Sequence, residues 1–165
     1  MWTRQDSHPY SAQGRTADRT KSHVARDGSL RPADPDGPAT VQNHVRGSEP
    51  RKSQSPYTSL SDDGGAAGKN YGDHRVEVDT GRLRRDIEAG RVRDVELIDH
   101  DQLLARHDEY IRAAQARYDA NPTPKNHRGL ERAVFDRANS ARDREVLIRG
   151  VVPPEYVTVT PPPTP

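Results

Sequence analysis

The chain has 165 residues, of which 30% are hydrophobic and 31% are charged, a composition near the lower limit for burying a hydrophobic core. The 26 basic and 25 acidic residues leave a net charge of +1, which gives no strong attraction to nucleic acids or membrane surfaces. Cysteine is absent, which excludes disulfides, a thiolate nucleophile and cysteine-ligated metals.

No targeting or membrane-spanning segment is visible in the sequence. The apolar runs fall far short of the ~20 residues that cross a bilayer. The first residues, "MWTRQDSHPYSAQGR", lack the apolar core of a classical signal peptide. If the protein is exported, we therefore expect another delivery route or a fused carrier; otherwise we expect a cytoplasmic protein.

Residues 1–54 are polar and rich in proline, glycine and serine. Stretches such as "LRPADPDGPA" and "RGSEPRKSQSP" predict loops, because proline and glycine interrupt helices and central strands. Two interpretations stay open. This third of the chain is a partly disordered tail, or it is a loop-rich segment that contributes the first strand of a domain.

The domain core is predicted over residues 55–158, and it begins with short strands and one helix. "YTSLS" and "HRVEVD" have the alternating pattern of half-buried strands, and "RDVELID" predicts a third short strand. Between the last two, "DTGRLRRDIEAG" predicts a helix that Asp79 or Thr80 caps and that ends at Gly90. "GGAAGKNYG" predicts a loop or a weak helical turn.

Two longer helices follow. "HDQLLARHDEYIRAAQARYDA" and "RGLERAVFDRANSAR" both have helical periodicity, and "NPTP" separates them. The predicted inward faces are Leu103, His107, Ile111, Ala114 and Tyr118 in the first helix, and Leu130, Val134, Ala138 and Ala141 in the second.

The aliphatic run after Glu145, "EVLIRG", predicts a central strand buried on both faces. "VVPPEYVTV" predicts an edge strand or a second strand, since proline is tolerated at sheet edges and not in sheet interiors. Residues 159–165 predict a solvated, polyproline-like tail. Short strands mixed with helices predict an α+β fold around a small sheet.

The sequence contains neither a recognisable metal motif nor a phosphate-binding loop. The seven histidines form no HExxH spacing, and "GGAAGKN" lacks the Ser or Thr that follows lysine in such a loop. Taken singly, Arg4, the "SLS" tripeptide and Glu145 have ordinary explanations: a solvated charge, a polar stretch and a strand end. Their order along the chain is more informative.

In that order, "TRQDSHP", "PYTSLS" and "REVLIRGVVPPEYV" resemble the ADP-ribosyltransferase fold of bacterial polymorphic toxins. That family has an arginine, then a Ser-x-Ser/Thr strand, then a strand that bears the catalytic glutamate. "HRVEVD" is similar to the strand that follows the serine motif. The resemblance covers nearly the whole chain and implies a small split β-sheet with flanking helices.

The resemblance implies that Glu145 is the catalytic glutamate and that Ser59 orients it. A carboxylate beside the nicotinamide ribose stabilises the positive charge that develops as the nicotinamide–ribose bond breaks. Asp143 stands two residues before Glu145, where the family has Glu or Gln, and is implied to contact the acceptor. Since aspartate is one methylene shorter than glutamate, the acceptor's identity stays open, and water is one candidate.

Arg4 is implied to hold the NAD diphosphate by a two-pronged contact, with Arg26 and Arg46 as rivals. A tyrosine is implied to stack on the nicotinamide, although each candidate tyrosine also suits a hydrophobic core. The implied NAD contacts are Arg4, Tyr57, Ser59, Ser61 and Tyr71.

The implied function is that of an NAD-dependent mono-ADP-ribosyltransferase, a toxin or effector domain that modifies a macromolecule in the cytoplasm of a target cell. An immunity protein is then an expected partner. Rival interpretations are an NAD glycohydrolase, an inactive binding module of the same fold, and a partly disordered interaction protein whose long helix docks on a partner. Nucleic-acid binding is disfavoured, because acids balance the bases and aromatic residues are only 5% of the chain.

Overall fold

A computed structural model of the chain gives an α+β architecture, as predicted. The residues that it describes are 2–6, 21–47, 51–62, 74–161 and 164, with the main chain alone at 2–6 and at Asp62. Within these residues a six-stranded sheet, a two-stranded sheet and four α-helices are present. None of the described helices is long and apolar enough to span a bilayer.

The strands and helices alternate irregularly along the chain. In order they are β1 (Trp2–Asp6), β2 (His23–Val24), β3 (Leu30–Arg31), α1 (Val41–Arg46), β4 (Tyr57–Asp62), β5 (His74–Val78), α2 (Thr80–Glu88), β6 (Glu96–Ile98), α3 (His100–Ala120), α4 (Pro124–Arg142), β7 (Glu145–Arg149), a short 3₁₀ turn (Pro154–Tyr156) and β8 (Val157–Thr160).

The large sheet has the strand order β6-β7-β4-β1-β5-β8, and every neighbouring pair is antiparallel. The strands that carry the three quoted motifs, β7, β4 and β1, therefore lie side by side. In the register, Ser61 stands opposite Glu145 on one side and opposite Thr3 on the other. Because β4 and β7 are antiparallel, Ser59 is the diagonal neighbour of Glu145 on the same face.

Hydrophobic clusters cover both faces of this sheet. On one face, Leu60 and Ile148 pack with α2 and the β2–β3 hairpin. On the other face, Leu147 packs with Tyr57 and with Leu103 of α3. Strand β7 is therefore flanked by two strands and covered on both faces, which confirms the prediction of a central buried strand.

Local signals explain where the long helices begin. Asp99 caps α3 and forms a reciprocal capping box with Gln102, so this helix has the predicted bounds. Helix α4 begins at Pro124, earlier than the predicted start at Arg128. Thr123 caps it, and proline is well suited to the first helical position because that residue needs no hydrogen-bonded N–H.

The predicted inward face of α4 is wrong. Val134 is 49% exposed, whereas the buried residues of this helix are Ala133, Asp136 and Ser140. These three are spaced by three and four residues, so they do form one helical face. The apolar pattern missed this face because two of its members are polar and are buried through hydrogen bonds and ion pairs.

Helix α1 is the main element that the sequence did not predict. It lies in the segment expected to be loop-rich, and it begins with a capping box between Thr40 and Asn43. Gly47 ends it in the left-handed conformation with φ of 67°. Its Val41 is buried in the same cluster as Leu147, which holds α1 against the sheet face that carries Ser59 and Glu145.

Candidate functional site

Glu145 occupies the first position of β7, directly after a tight turn from α4. Asp143 caps the C-terminal end of α4, and Arg144 adopts a left-handed conformation with φ of 46°. This turn folds the last part of α4 back onto the start of β7. As a result the Ser140 hydroxyl donates a hydrogen bond of 2.7 Å to Glu145 Oε2.

The second carboxylate oxygen of Glu145 is held from the neighbouring strand. The Ser59 hydroxyl donates to Oε1 at 2.7 Å. Glu145 is only 3% exposed, whereas Ser59 is half-buried. Of the two serines that bond to Glu145, only Ser59 is partly exposed, so we call its side of the carboxylate the open side. Ser140 of α4 is fully buried, and its side is the closed side.

Each of the two serines that bond to Glu145 is also within hydrogen-bond distance of a histidine. On the open side, His44 of α1 places Nε2 2.8 Å from the Ser59 hydroxyl and Nδ1 2.6 Å from that of Ser55. On the closed side, His107 of α3 places Nε2 3.0 Å from the Ser140 hydroxyl. We call this chain of side chains the glutamate network, and its members are Ser55, His44, Ser59, Glu145, Ser140 and His107.

The environment of His107 favours the neutral form of its imidazole. It is 1% exposed, and burial lowers the pKa of its imidazole below the usual 6.5. The negative charges of Glu145 and Asp136 act in the opposite direction but are the smaller effects. A neutral imidazole beside Ser140 supplies one N–H donor without adding a positive charge behind the carboxylate.

Three further contacts hold the main chain and helices around the network. His100 Nδ1 lies 2.9 Å from the main-chain carbonyl oxygen of Glu145, at the start of α3. Arg46 Nε donates to Asp136 Oδ2 at 2.8 Å and so ties α1 to α4. Asp136 is 1% exposed, and its other oxygen lies 3.1 Å from Arg132 Nε in an ion pair.

A direct side-chain hydrogen bond joins two of the predicted site residues, Ser59 and Glu145. Ser61 pairs with Glu145 in the register and is half-buried. Tyr57 is 8% exposed and belongs to the hydrophobic cluster around Leu147. Of the two roles considered for Tyr57, the core role is therefore the one that its described contacts support.

Asp143 is not displayed toward solvent. It is 2% exposed, and Arg142 Nε donates to its Oδ1 at 2.8 Å. The acid that the resemblance assigns to the acceptor is thus engaged with its neighbour on the chain.

The candidate arginines lie in three different places. The main chain of Arg4 pairs with Val76. Arg4 directly follows Thr3, which pairs with Ser61 and so lies level with Glu145 across the sheet. The side chain of Arg4 lies outside the described residues. Arg26 is exposed in the turn of the β2–β3 hairpin, which packs on the opposite face of the sheet from Glu145. Arg46 is two residues from His44, on the face that carries Ser59. Tyr71 lies outside the described residues.

Sequence reasoning missed His44, His107 and Ser140 as members of the site. His107 was predicted on the inward face of α3, where a histidine among apolar residues signals a buried hydrogen-bond partner. His44 stands in the stretch "NHVRG", in which only Arg46 was predicted to contact NAD, as a rival of Arg4. Ser140 carried no signal of its own.

Among the described residues, no group of three histidine or acidic side chains is arranged to hold a metal ion. No protein-family model, curated protein or solved structure matches this chain. The glutamate network itself offers one buried carboxylate, two serines that donate to it, and a histidine bonded to each of these two serines.

Proposed function

We propose that this chain is an NAD-dependent mono-ADP-ribosyltransferase of the bacterial toxin type. The observation that carries the proposal is the hydrogen bond between Ser59 and Glu145 across β4 and β7. The resemblance in sequence pairs these two residues, and they come from motifs 86 positions apart. The adjacency of β7, β4 and β1, which bear the three motifs, supports the same proposal.

Glu145 suits this chemistry because hydrogen bonds orient its carboxylate without occupying all of its acceptor positions. An ionised carboxylate accepts about four hydrogen bonds, and the described residues supply one to each oxygen. The remaining lone pairs are available to a ribose hydroxyl of NAD. A carboxylate held in a largely buried place stabilises a developing oxocarbenium ion more strongly than one in water.

The proposed reaction balances without a redox partner. The bond between the ribose C1′ and the nicotinamide nitrogen breaks, and nicotinamide leaves with the electron pair. A nucleophile of the acceptor then forms a new bond to C1′ and loses a proton to Glu145 or to solvent. NAD is thus a substrate that the reaction consumes.

An arginine suits the diphosphate of NAD, and Arg4 and Arg46 are the two candidates. The resemblance assigns Arg4. Arg46 has structural support, because it lies two residues after His44 on α1 and Asp136 of α4 binds its Nε. Its terminal nitrogens have no partner among the described residues, so they suit a two-pronged phosphate contact. Comparing Arg4→Gln with Arg46→Gln decides between them, because loss of the diphosphate contact raises the KM for NAD.

Hydrolysis of NAD is a second candidate, and one observation favours it. Asp143, the residue implied to contact the acceptor, is 2% exposed and is paired with Arg142. Without that carboxylate at the surface, a protein side chain gains no acid-assisted contact there, and water becomes the competing nucleophile. An inactive binding module would bind NAD without releasing nicotinamide.

The test is release of nicotinamide from NAD, with labelled NAD and a cell lysate to separate transfer from hydrolysis. We expect turnover by the wild-type protein and a loss of at least about 100-fold in Glu145→Gln, the size found when a preorganised electrostatic group is removed. Glu88→Gln is the matched control, since Glu88 is exposed at the end of α2. Absence of turnover in the wild type, or full turnover in Glu145→Gln, overturns the proposal.

A further inference from the structure

The hydroxyl of Ser59 has one proton and two close partners. It lies 2.7 Å from Glu145 Oε1 and 2.8 Å from His44 Nε2. An ionised carboxylate only accepts hydrogen bonds, so the serine proton goes to Glu145. His44 Nε2 must then be the donor to Ser59, which requires a proton on that nitrogen.

Ser55 determines the state of the other imidazole nitrogen. It is 1% exposed, and its oxygen already accepts the main-chain N–H of Tyr57 at 3.1 Å. Among the described residues, the acceptor within reach of its own proton is His44 Nδ1, at 2.6 Å. If Nδ1 were protonated, the Ser55 hydroxyl would be a buried donor without an acceptor, which is costly. These contacts therefore assign the proton to His44 Nε2 and the acceptor role to Nδ1.

The donors thus run in one direction: from the Tyr57 main chain to Ser55, from Ser55 to His44, from His44 to Ser59, and from Ser59 to Glu145. The closed side repeats the last two steps, because Ser140 donates to Glu145 and so accepts from His107 Nε2. The two sides differ in exposure. Ser59 is half-buried, so solvent or a ligand can compete for its hydroxyl unless a further group holds it, whereas Ser140 is fully buried.

We propose that His44 is a positioning residue for the catalytic glutamate. By occupying a lone pair of Ser59, it directs the Ser59 proton toward Glu145 and prevents the hydroxyl from rotating into the open side of the site. The carboxylate then keeps one orientation when NAD binds. The catalytic meaning of this inference rests on the proposed function, but the proton order itself does not.

The first measurement concerns proton order and needs no substrate. Long-range ¹H–¹⁵N NMR correlations distinguish a protonated imidazole nitrogen from an accepting one, and we expect His44 to have the proton on Nε2 alone. Three-bond couplings at Ser59 should show a single rotamer in the wild type. In His44→Leu, which has no donor, Ser59 should populate more than one rotamer. In His44→Gln, whose side-chain amide can donate, the single rotamer should persist.

The second measurement concerns catalysis. We expect kcat for NAD cleavage to fall about 10- to 100-fold in His44→Leu, with KM changed by less than about threefold, because the loss is one of orientation at the reacting centre. His44→Gln should retain kcat within about fivefold of the wild type, because the glutamine amide can donate a hydrogen bond to Ser59 in place of the imidazole. His127→Gln is the control, since His127 is exposed on α4 and pairs with Glu131.

Should His44→Leu fail to fold, Ser55→Ala provides the same test with the imidazole in place. That variant removes the donor to Nδ1, so His44 should become a mixture of tautomers and kcat should fall. A proton on Nδ1 of the wild-type His44, or one Ser59 rotamer in every variant, overturns the inference whether or not NAD is cleaved. Unchanged kcat in both His44→Leu and Ser55→Ala also overturns it while leaving the proposed function intact. Absence of wild-type turnover overturns the proposed function, and the NMR outcome then decides the proton order.

Discussion

The Ser59 hydroxyl donates a 2.7 Å hydrogen bond to the Glu145 carboxylate, and both residues lie on one face of the pair β4 and β7. A hydrogen bond to a charged group in a buried place stabilises a protein more than one between neutral groups does. This contact is therefore both the centre of the proposed site and a measurable part of the protein's stability.

A double-mutant cycle should detect that contact. We expect Ser59→Ala and Glu145→Gln to be non-additive in the free energy of unfolding, with a coupling of about 1–2 kcal/mol measured by urea denaturation. Thr58→Ala provides the control on the same strand. Thr58 faces the opposite side of β4 and bonds to Ser22, so its cycle with Glu145→Gln should be additive within about 0.5 kcal/mol. Additive behaviour of Ser59 and Glu145 would show that the contact is absent in solution.

Alanine substitutions at two glycines with left-handed backbones distinguish the effect of a steric clash on stability from that of backbone strain alone. Gly150 follows β7 with φ of 93°, and a Cβ there would lie 2.3 Å from the main-chain oxygen of Asp94. Gly90 has φ of 73° and no atom within 4 Å of such a Cβ. We expect Gly90→Ala to lower the free energy of unfolding by about 1 kcal/mol through the backbone alone.

Gly150→Ala should lower the free energy of unfolding by at least about 2 kcal/mol more than Gly90→Ala does. The added Cβ would clash with the main chain of Asp94, and the end of β7 would have to move. Urea midpoints of the two variants make the comparison. Equal midpoints would mean that the chain relaxes freely at Gly150 and that β7 is less rigidly held than its burial indicates.

The parts of this fold that the sequence predicts are those with a local or periodic cause. Helix α3 has its predicted bounds because a capping box begins it and "NPTP" ends it. Strand β7 stands out because aliphatic residues are scarce elsewhere in the chain. The pairing of Ser59 with Glu145 followed from the order of the motifs, because the resembling family places their strands together.

The other side chains of the site come together only through tertiary packing, which no local sequence pattern reveals. His44, His107 and Ser140 come from three different helices and meet only because α1, α3 and α4 pack on one sheet face. The prediction of the inward face of α4 was wrong for the same reason, because tertiary contacts and not an apolar pattern determine that face. An apolar pattern selected Val134, although hydrogen bonds had placed Ser140 inside.

Buried His107 makes stability depend on pH. Burial lowers the pKa of its imidazole below 6.5, so between the folded and unfolded pKa values the unfolded chain binds a proton that the folded protein does not. Its contribution to stability is therefore complete above about pH 6.5 and is lost as the pH falls below that value.

The measurement is urea unfolding at pH 7.5 and pH 5.5. We expect the wild type to lose more stability over this interval than His107→Gln, whose amide can still donate to Ser140 but does not titrate. The difference between the two proteins isolates His107, because the other titrating groups are shared. Equal losses would indicate that His107 takes up its proton in the folded state as readily as in the unfolded chain.

The link between α1 and α4 gives the last prediction. Arg46 Nε donates to Asp136 Oδ2 at 2.8 Å, and the Asp136 side chain is 1% exposed. Removing one partner of a buried ion pair leaves a desolvated charge, which typically costs about 3–5 kcal/mol. Arg46 is 29% exposed and Arg132 also lies beside Asp136, so Arg46→Leu should cost less, about 2–3 kcal/mol.

Arg106→Leu is the matched control, because Arg106 pairs with Glu96 at 2.9 Å on the surface, with side chains 40% and 50% exposed. It should change stability by less than about 1 kcal/mol. Adding Asp136→Leu to Arg46→Leu should recover most of the loss, since the cost lies in the unpaired carboxylate and not in the missing arginine. If the double variant is no more stable than Arg46→Leu, the ion pair is not what holds α1 against α4, and the apolar contacts of Val41 must do so instead.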